Sequence, residues 1–165
     1  MREEKTFGST TLNKILFYID NQSYVERGKP ISDFKYKKWE HGFIPKQLMQ
    51  YKSEMKEAKI LEEISVPYFG LLQSKPVSKI TPNIDNFTSN DISIIDSVIS
   101  EFKGVNASMA SDRHHQLLCW KIARHGEDLP FYAYLITKSD EYTDEELQWV
   151  EDSIKRYEGK SIHNN

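Results

Sequence analysis

The sequence predicts an α+β fold, mainly α-helical, with about five helices and a small antiparallel β element in the middle of the chain. Three observations carry this. Several stretches repeat apolar residues at helical spacing between recognisable start and stop signals. The stretch from Leu61 to Ile80 loses that spacing and carries Pro67 and Gly70 among short apolar runs. The segment Trp39-Glu40-His41-Gly42-Phe43-Ile44-Pro45 joins the first two helical stretches with aromatic and turn residues instead of a polar linker.

The first helix spans Thr10 to Arg27, where Leu12, Ile15, Leu16 and Ile19 follow one another at i, i+3, i+4 and i+7 and share a face. Ser9 or Thr10 is placed to cap its free N–H groups, Gly28 suits the left-handed residue past its end, and Pro30 prevents continuation. Ile31 to Trp39 is too short and mixed to assign. A second helix is expected to begin at Pro45, whose fixed φ suits a first turn, and to run to Lys59 with Leu48, Tyr51, Met55 and Ala58 toward the core. Leu61 to Ile80 reads as short strands or a hairpin.

Thr81 to Asn90 is polar and connects the two halves. Thr88 or Ser89 caps a third helix whose face is Ile92, Ile95, Val98, Ile99 and Phe102, and Gly104 ends it. A fourth helical region runs from Asn106 to Arg124, with a break expected near Ser111-Asp112 and a stop at His125-Gly126. Phe131 to Ile136, behind Pro130, fits a strand or an irregular core insertion. Thr143-Asp144-Glu145-Glu146 forms a capping box before Leu147, Val150 and Ile154, and Gly159 closes that last helix. With 165 residues, 38% of them hydrophobic, the chain can bury one core, so residues 8–158 are expected to form a single domain with 1–7 and 159–165 as flexible tails.

Cys119 stands alone, which excludes an intrachain disulfide. The start of the sequence lacks an apolar leader and no run reaches membrane-spanning length, so a cytoplasmic protein without a membrane partner is expected. The net charge of −3 is small but unevenly spread: Lys29 to Lys59 holds eight lysines against Asp33, Glu40, Glu54 and Glu57, while Glu141 to Asp152 holds six acids and no base. Such runs are commonly solvated helix faces. The alternation Phe34-Lys35-Tyr36-Lys37-Lys38-Trp39 has the composition of single-strand nucleic-acid binders, but the overall acidic balance and the lack of a helix-turn-helix or RNA-binding signature argue against that partner.

Enzyme chemistry lacks parts. His115 and Cys119 are four apart and would share one helix face, a spacing open to metal binding or to a thiol–imidazole pair. No further paired ligands, glycine-rich phosphate loop or G-x-S-x-G accompany them, and Leu117, Leu118 and Trp120 make apolar surroundings that raise a thiol pKa. The residues themselves therefore give no catalytic group, no metal and no cofactor.

Taken together, Leu12-Asn13-Lys14-Ile15-Leu16-Phe17-Tyr18, Gly28-Lys29-Pro30-Ile31, and Trp39-x-x-Gly42-Phe43-Ile44-Pro45 resemble the start of the Panacea domain, the SocA-like antitoxin family with phage-associated members. His115 five residues before Trp120, then Gly126-Glu127 and Pro130-Phe131, are similar to its closing motif. The resemblance covers residues 8 to 135. It implies a mostly helical fold with a small β element and an antitoxin that binds and neutralises a cognate protein toxin. The namesake's second role, as an adaptor delivering its toxin to a protease, implies a cytoplasmic protease as a further partner.

Within that reading, Trp39, Gly42, Pro45, His115 and Trp120 are expected to be structural: buried indoles, a turn glycine and a helix-starting proline. Partner contacts are expected at Lys35, Tyr36, Lys37, Lys38 and Phe43, or on the acidic surface near Glu145.

Overall fold

The computed structural model describes residues 7–130 apart from Phe69, together with Ala133, Leu135 and Gln148. The last helix expected from the sequence, with Glu145, and most of the 131–136 segment lie outside the described residues. Within them the order is α1 (Ser9–Arg27), β1 (Tyr36–Trp39), β2 (Gly42–Pro45), α2 (Leu48–Glu57), β3 (Leu61–Tyr68), β4 (Leu71–Ser78), α3 (Ser89–Glu101), α4 (Ala107–Gln116), α5 (Leu118–Ile122) and β5 (Asp128–Leu129). β2, β1 and β5 form one small antiparallel sheet, and β3 and β4 form a separate hairpin. The fold is α+β and mainly helical, as the sequence predicts.

α1 is the axis of the structure. Phe17 packs with Tyr36, Phe43, Leu117, Cys119 and Leu129, while Ile15 and Ile19 pack with Ile94, Val98, Phe102 and Ala110. Tyr18 packs against both clusters. A helix covered from more than one direction cannot keep a single apolar stripe, and this is why the simple periodicity captures only part of its buried surface, Ile15 and Ile19. Leu12 and Leu16 are only half-buried, whereas Lys14, Asp20 and Ser23 are enclosed.

Asp20 is fully buried and acts as a fastening point. Its carboxyl accepts hydrogen bonds from the backbone N–H groups of Ile31 (3.0 Å) and Ser32 (2.7 Å), from the Ser32 hydroxyl, and from the Tyr36 hydroxyl (2.7 Å). Burial pushes its pKa up, and the four donors oppose that push because they favour the ionised form. The chain leaving α1 is thereby pinned back onto the helix, and β1 starts where Tyr36 reaches that carboxyl.

α1 ends as its sequence signals, with Gly28 at φ 72° and its N–H bonded to Tyr24 O at 2.8 Å. Its start differs. Gly8 occupies the N-cap position and no side chain caps the helix, so neither Ser9 nor Thr10 has the expected role. Arg27 crosses to Asp91 at 2.6 Å and joins the end of α1 to the first turn of α3. There Thr88 and Asp91 form a reciprocal capping box, and Thr88 first, then Arg27, hold the Asp91 carboxyl at about 2.

Three further expectations are corrected. Pro45 does not start a helix: it closes β2, where it pairs with Tyr36 on an edge strand that tolerates a missing N–H. α2 begins at Leu48 and is largely exposed, with Met49, Tyr51 and Met55 at 75%, 44% and 37%. It leans on β3 through ion pairs from Lys52 and Lys56 to Glu63, whose carboxyl those two ammonium groups hold at about 2. The fourth helical region breaks at Leu117, which adopts φ −64° and ψ 131°, and not at Ser111-Asp112.

Removing the Asp20 carboxyl strands two hydroxyls and two backbone N–H groups at once. Asp20→Ala is expected to cost about 3–5 kcal/mol, and Tyr36→Phe, which deletes one donor, about 1 kcal/mol, in urea unfolding. Equal and small losses from both variants would show that the network does not anchor β1.

Candidate partner-binding site

The two halves of the family-like motif, far apart in sequence, meet at the tip of the β1–β2 hairpin. Trp39 pairs with Gly42, leaving Glu40 and His41 as the turn. Gly42 takes φ 119°, and a Cβ there would lie 2.7 Å from His114 Nδ1, so both conformation and space require glycine. Phe43, fully buried, stacks on Phe17 at 5.0 Å and donates its N–H to His114 Nδ1 at 3.3 Å.

On the other flank, β1 is held by the chain that follows α5. Lys38 N–H donates to Glu127 O at 2.9 Å, and Gly126 N–H donates to Lys38 O at 3.0 Å. The Lys38 ammonium donates to the carbonyls of Trp120 (2.5 Å) and Ala123 (2.8 Å) and lies 4.0 Å from the centre of the Trp120 ring. A cation on the last carbonyls of α5 satisfies groups the helix leaves open. Trp120 stacks on its other neighbour, His115, at 4.2 Å, and His115 Nε2 lies 3.2 Å from Glu40 O. His115, Trp120 and Lys38 thus clamp the hairpin from beneath.

Trp39 is presented outward. It is 43% exposed, with His125 stacked against it at 4.6 Å and the Lys37 ammonium 5.2 Å from its ring centre. An indole held by a histidine and a lysine while part of its surface faces water is an ordered apolar anchor with a cationic edge.

Beneath the hairpin lies a polar core that the sequence did not announce. His114 is fully buried against Phe17 and Tyr18, at 4.7 and 5.0 Å. Burial, then the nearby Lys14 charge, keeps its pKa far below the usual histidine value. Since Nδ1 accepts the Phe43 N–H, the ring proton sits on Nε2, which has no hydrogen-bond partner among the described residues. Lys14, 1% exposed, makes no ion pair among the described residues, and burial brings its ammonium down to about 8.

The residues proposed from sequence separate accordingly. Tyr36 and Phe43 cannot contact a partner, because each is at most 1% exposed and serves the core. Trp39, expected to be buried, is the exposed member of the tryptophan pair, and Trp120 is the packed one. Lys38 is spent internally on α5. Lys35 and Lys37 remain on the surface, Lys37 against Trp39. Lys46 pairs with Asp128 at 2.8 Å, and Lys52 and Lys56 pair with Glu63, so three lysines of the positive run are matched by acids from elsewhere in the chain.

His115 and Cys119 do not share a helix face, because Leu117 interrupts the helix between them. The Cys119 thiol is buried and pushed up to about 12, the opposite of an activated nucleophile. Among the described residues no three His, Cys, Asp or Glu side chains converge as a metal site, and no helix is long and apolar enough to cross a membrane. His125 and Asp128 were missed as neighbours of the hairpin; the Gly126 turn that brings them there was the available signal.

What the geometry defines is a mainly helical α+β domain whose two tryptophan segments close on one another and leave one indole presented to solvent. Residues 12–121 match the family described as Antitoxin SocA-like, Panacea domain, and the chain belongs to that family. No curated protein matches it, and no solved structure does.

Gly42→Ala is expected to destabilise the protein by about 2–4 kcal/mol, since strain at positive φ adds to overlap with His114. An unchanged midpoint in urea would show that the hairpin and His114 are not in contact. For Lys14, a pKa that falls from 10.5 to about 8 on folding costs stability at neutral pH, and the cost fades as pH rises from 8 to 10.5. Lys14→Met is therefore expected to raise stability by about 1–3 kcal/mol at pH 7 and to flatten the wild-type gain between pH 8 and 10. Parallel stability–pH curves for the two proteins would contradict this.

Proposed function

We propose that this protein is an antitoxin that neutralises a cytoplasmic protein toxin by direct contact, with Trp39 as the central anchor. Membership of the SocA-like antitoxin family supports the antitoxin role. The observation that carries the contact surface is the half-exposed Trp39, oriented by His125 and Lys37 on a hairpin tip clamped by His115, Trp120 and Lys38. Rigid aromatic anchors with an adjacent cation dominate protein interfaces because little entropy is lost in ordering them.

Lys35 and Lys37 form none of the ion pairs described above, and with Lys37 against the Trp39 ring they give the anchor a positive rim. Such a rim speeds and orients association with an acidic surface more than it adds affinity. Tyr36, Phe43 and Lys38 act one step back, as the support that keeps the tip in place.

Co-expression with the toxic product of an adjacent gene is expected to restore growth, and Trp39→Ala is expected to abolish rescue. The variant should weaken binding by about 2–4 kcal/mol while leaving the free energy of unfolding within about 1 kcal/mol of wild type. Full rescue by Trp39→Ala would remove the hairpin tip from the interface, and absence of binding by the wild-type protein would remove the antitoxin reading itself.

A further inference from the structure

A groove of about 360 Å³ lies between the start of α1, the C-terminal end of α3 and strand β4, and none of the hairpin-tip residues lines it. Phe7, Ile99, Phe102 and Val105 supply its apolar walls, and Lys75 and Lys103 stand among them. Neither lysine forms an ion pair among the described residues. Ile64, the register partner of Lys75, points to the same face of the hairpin and is 39% exposed, so apolar surface continues past the lysine.

Among the described residues the groove is only partly enclosed. Small-molecule sites enclose most of their ligand, whereas an open apolar groove suits a segment that brings its own folded surface to cover it. Two ammonium groups beside apolar walls select carboxylates next to large apolar side chains. A phosphate backbone would leave those walls unmatched.

We infer that this groove receives an amphipathic, acidic helical segment of the protein partner, with its apolar face on Phe7, Ile99 and Val105 over the buried Phe102 ring and its carboxylates on Lys75 and Lys103. This rests on the reading of the chain as a protein-binding antitoxin and adds a second, chemically defined contact to the one at Trp39.

The test uses the full ¹⁵N-labelled chain and two synthetic amphipathic peptides of about 18 residues, or five helical turns, which share one Leu/Phe stripe and carry either Glu or Lys on the polar face. The Glu peptide is expected to shift the amides of Gln73, Lys75, Ile99, Lys103 and Val105 and to bind about tenfold tighter than the Lys peptide. The double substitution Lys75→Glu with Lys103→Glu, both on solvent-facing side chains, is expected to reverse that preference with the fold intact by circular dichroism.

Equal binding of both peptides, or shifts confined to other surfaces, would overturn the inference. Saturation of the groove by dodecanoate without response to either peptide would assign it to a small apolar acid and also overturn it. So would groove shifts that grow with protein concentration alone, which would place a second copy there. Because the probe is a synthetic peptide, a negative titration leaves toxin neutralisation standing, and a failure of neutralisation leaves the titration informative.

Discussion

Asp20 sits in the middle of α1 and gathers hydrogen bonds from Ile31, Ser32 and Tyr36, residues that leave the helix and begin the sheet. Everything that follows depends on this arrangement. A buried carboxyl is costly unless its oxygens are satisfied, and here satisfaction requires the chain to fold back along the helix that carries it. That return places Tyr36 against Phe17, sets the register of β1 with β2, and delivers the Glu40-His41 turn to the side of α4 and α5.

The hairpin is then held from two sides by different chemistry. Inside, the neutral His114 ring accepts from Phe43 and fills the space that Gly42 leaves by lacking a side chain. Outside, Lys38 answers the last carbonyls of α5 while its ammonium lies over the Trp120 ring. Lys14 is the counterweight: it is a buried ammonium without an ionic partner among the described residues, and burial brings its pKa down to about 8. The two tryptophans that look equivalent in sequence end in opposite roles, one enclosed in the clamp and one carried on its outer surface.

Much of the fold was legible because its signals are local. Gly28 ending α1, the Thr88 cap of α3, and Pro67 and Gly70 marking the β3–β4 hairpin each rest on neighbouring residues. The β1–β2 hairpin was not legible, because its strands are four residues long and its third strand comes from Asp128–Leu129. The buried face of α1 was read only in part for a related reason: Ile15 and Ile19 are inside as expected, but so are Asp20 and Lys14, and the Asp20 partners sit 11 to 16 positions away. Among the candidate contact residues, Tyr36 and Phe43 fell to the core through that same unseen pairing. Trp39 was placed inside by residue type alone, and only tertiary neighbours such as His125 reveal that it is displayed.

The central claim is that one motif tryptophan is scaffold and the other is contact surface. The most direct measurement is ¹⁹F NMR of the 5-fluorotryptophan-labelled chain titrated with its toxin, with Trp39→Phe and Trp120→Phe supplying the assignments. The Trp39 resonance is expected to move on binding while the Trp120 resonance keeps its position. A shift of Trp120 with Trp39 unmoved would contradict it.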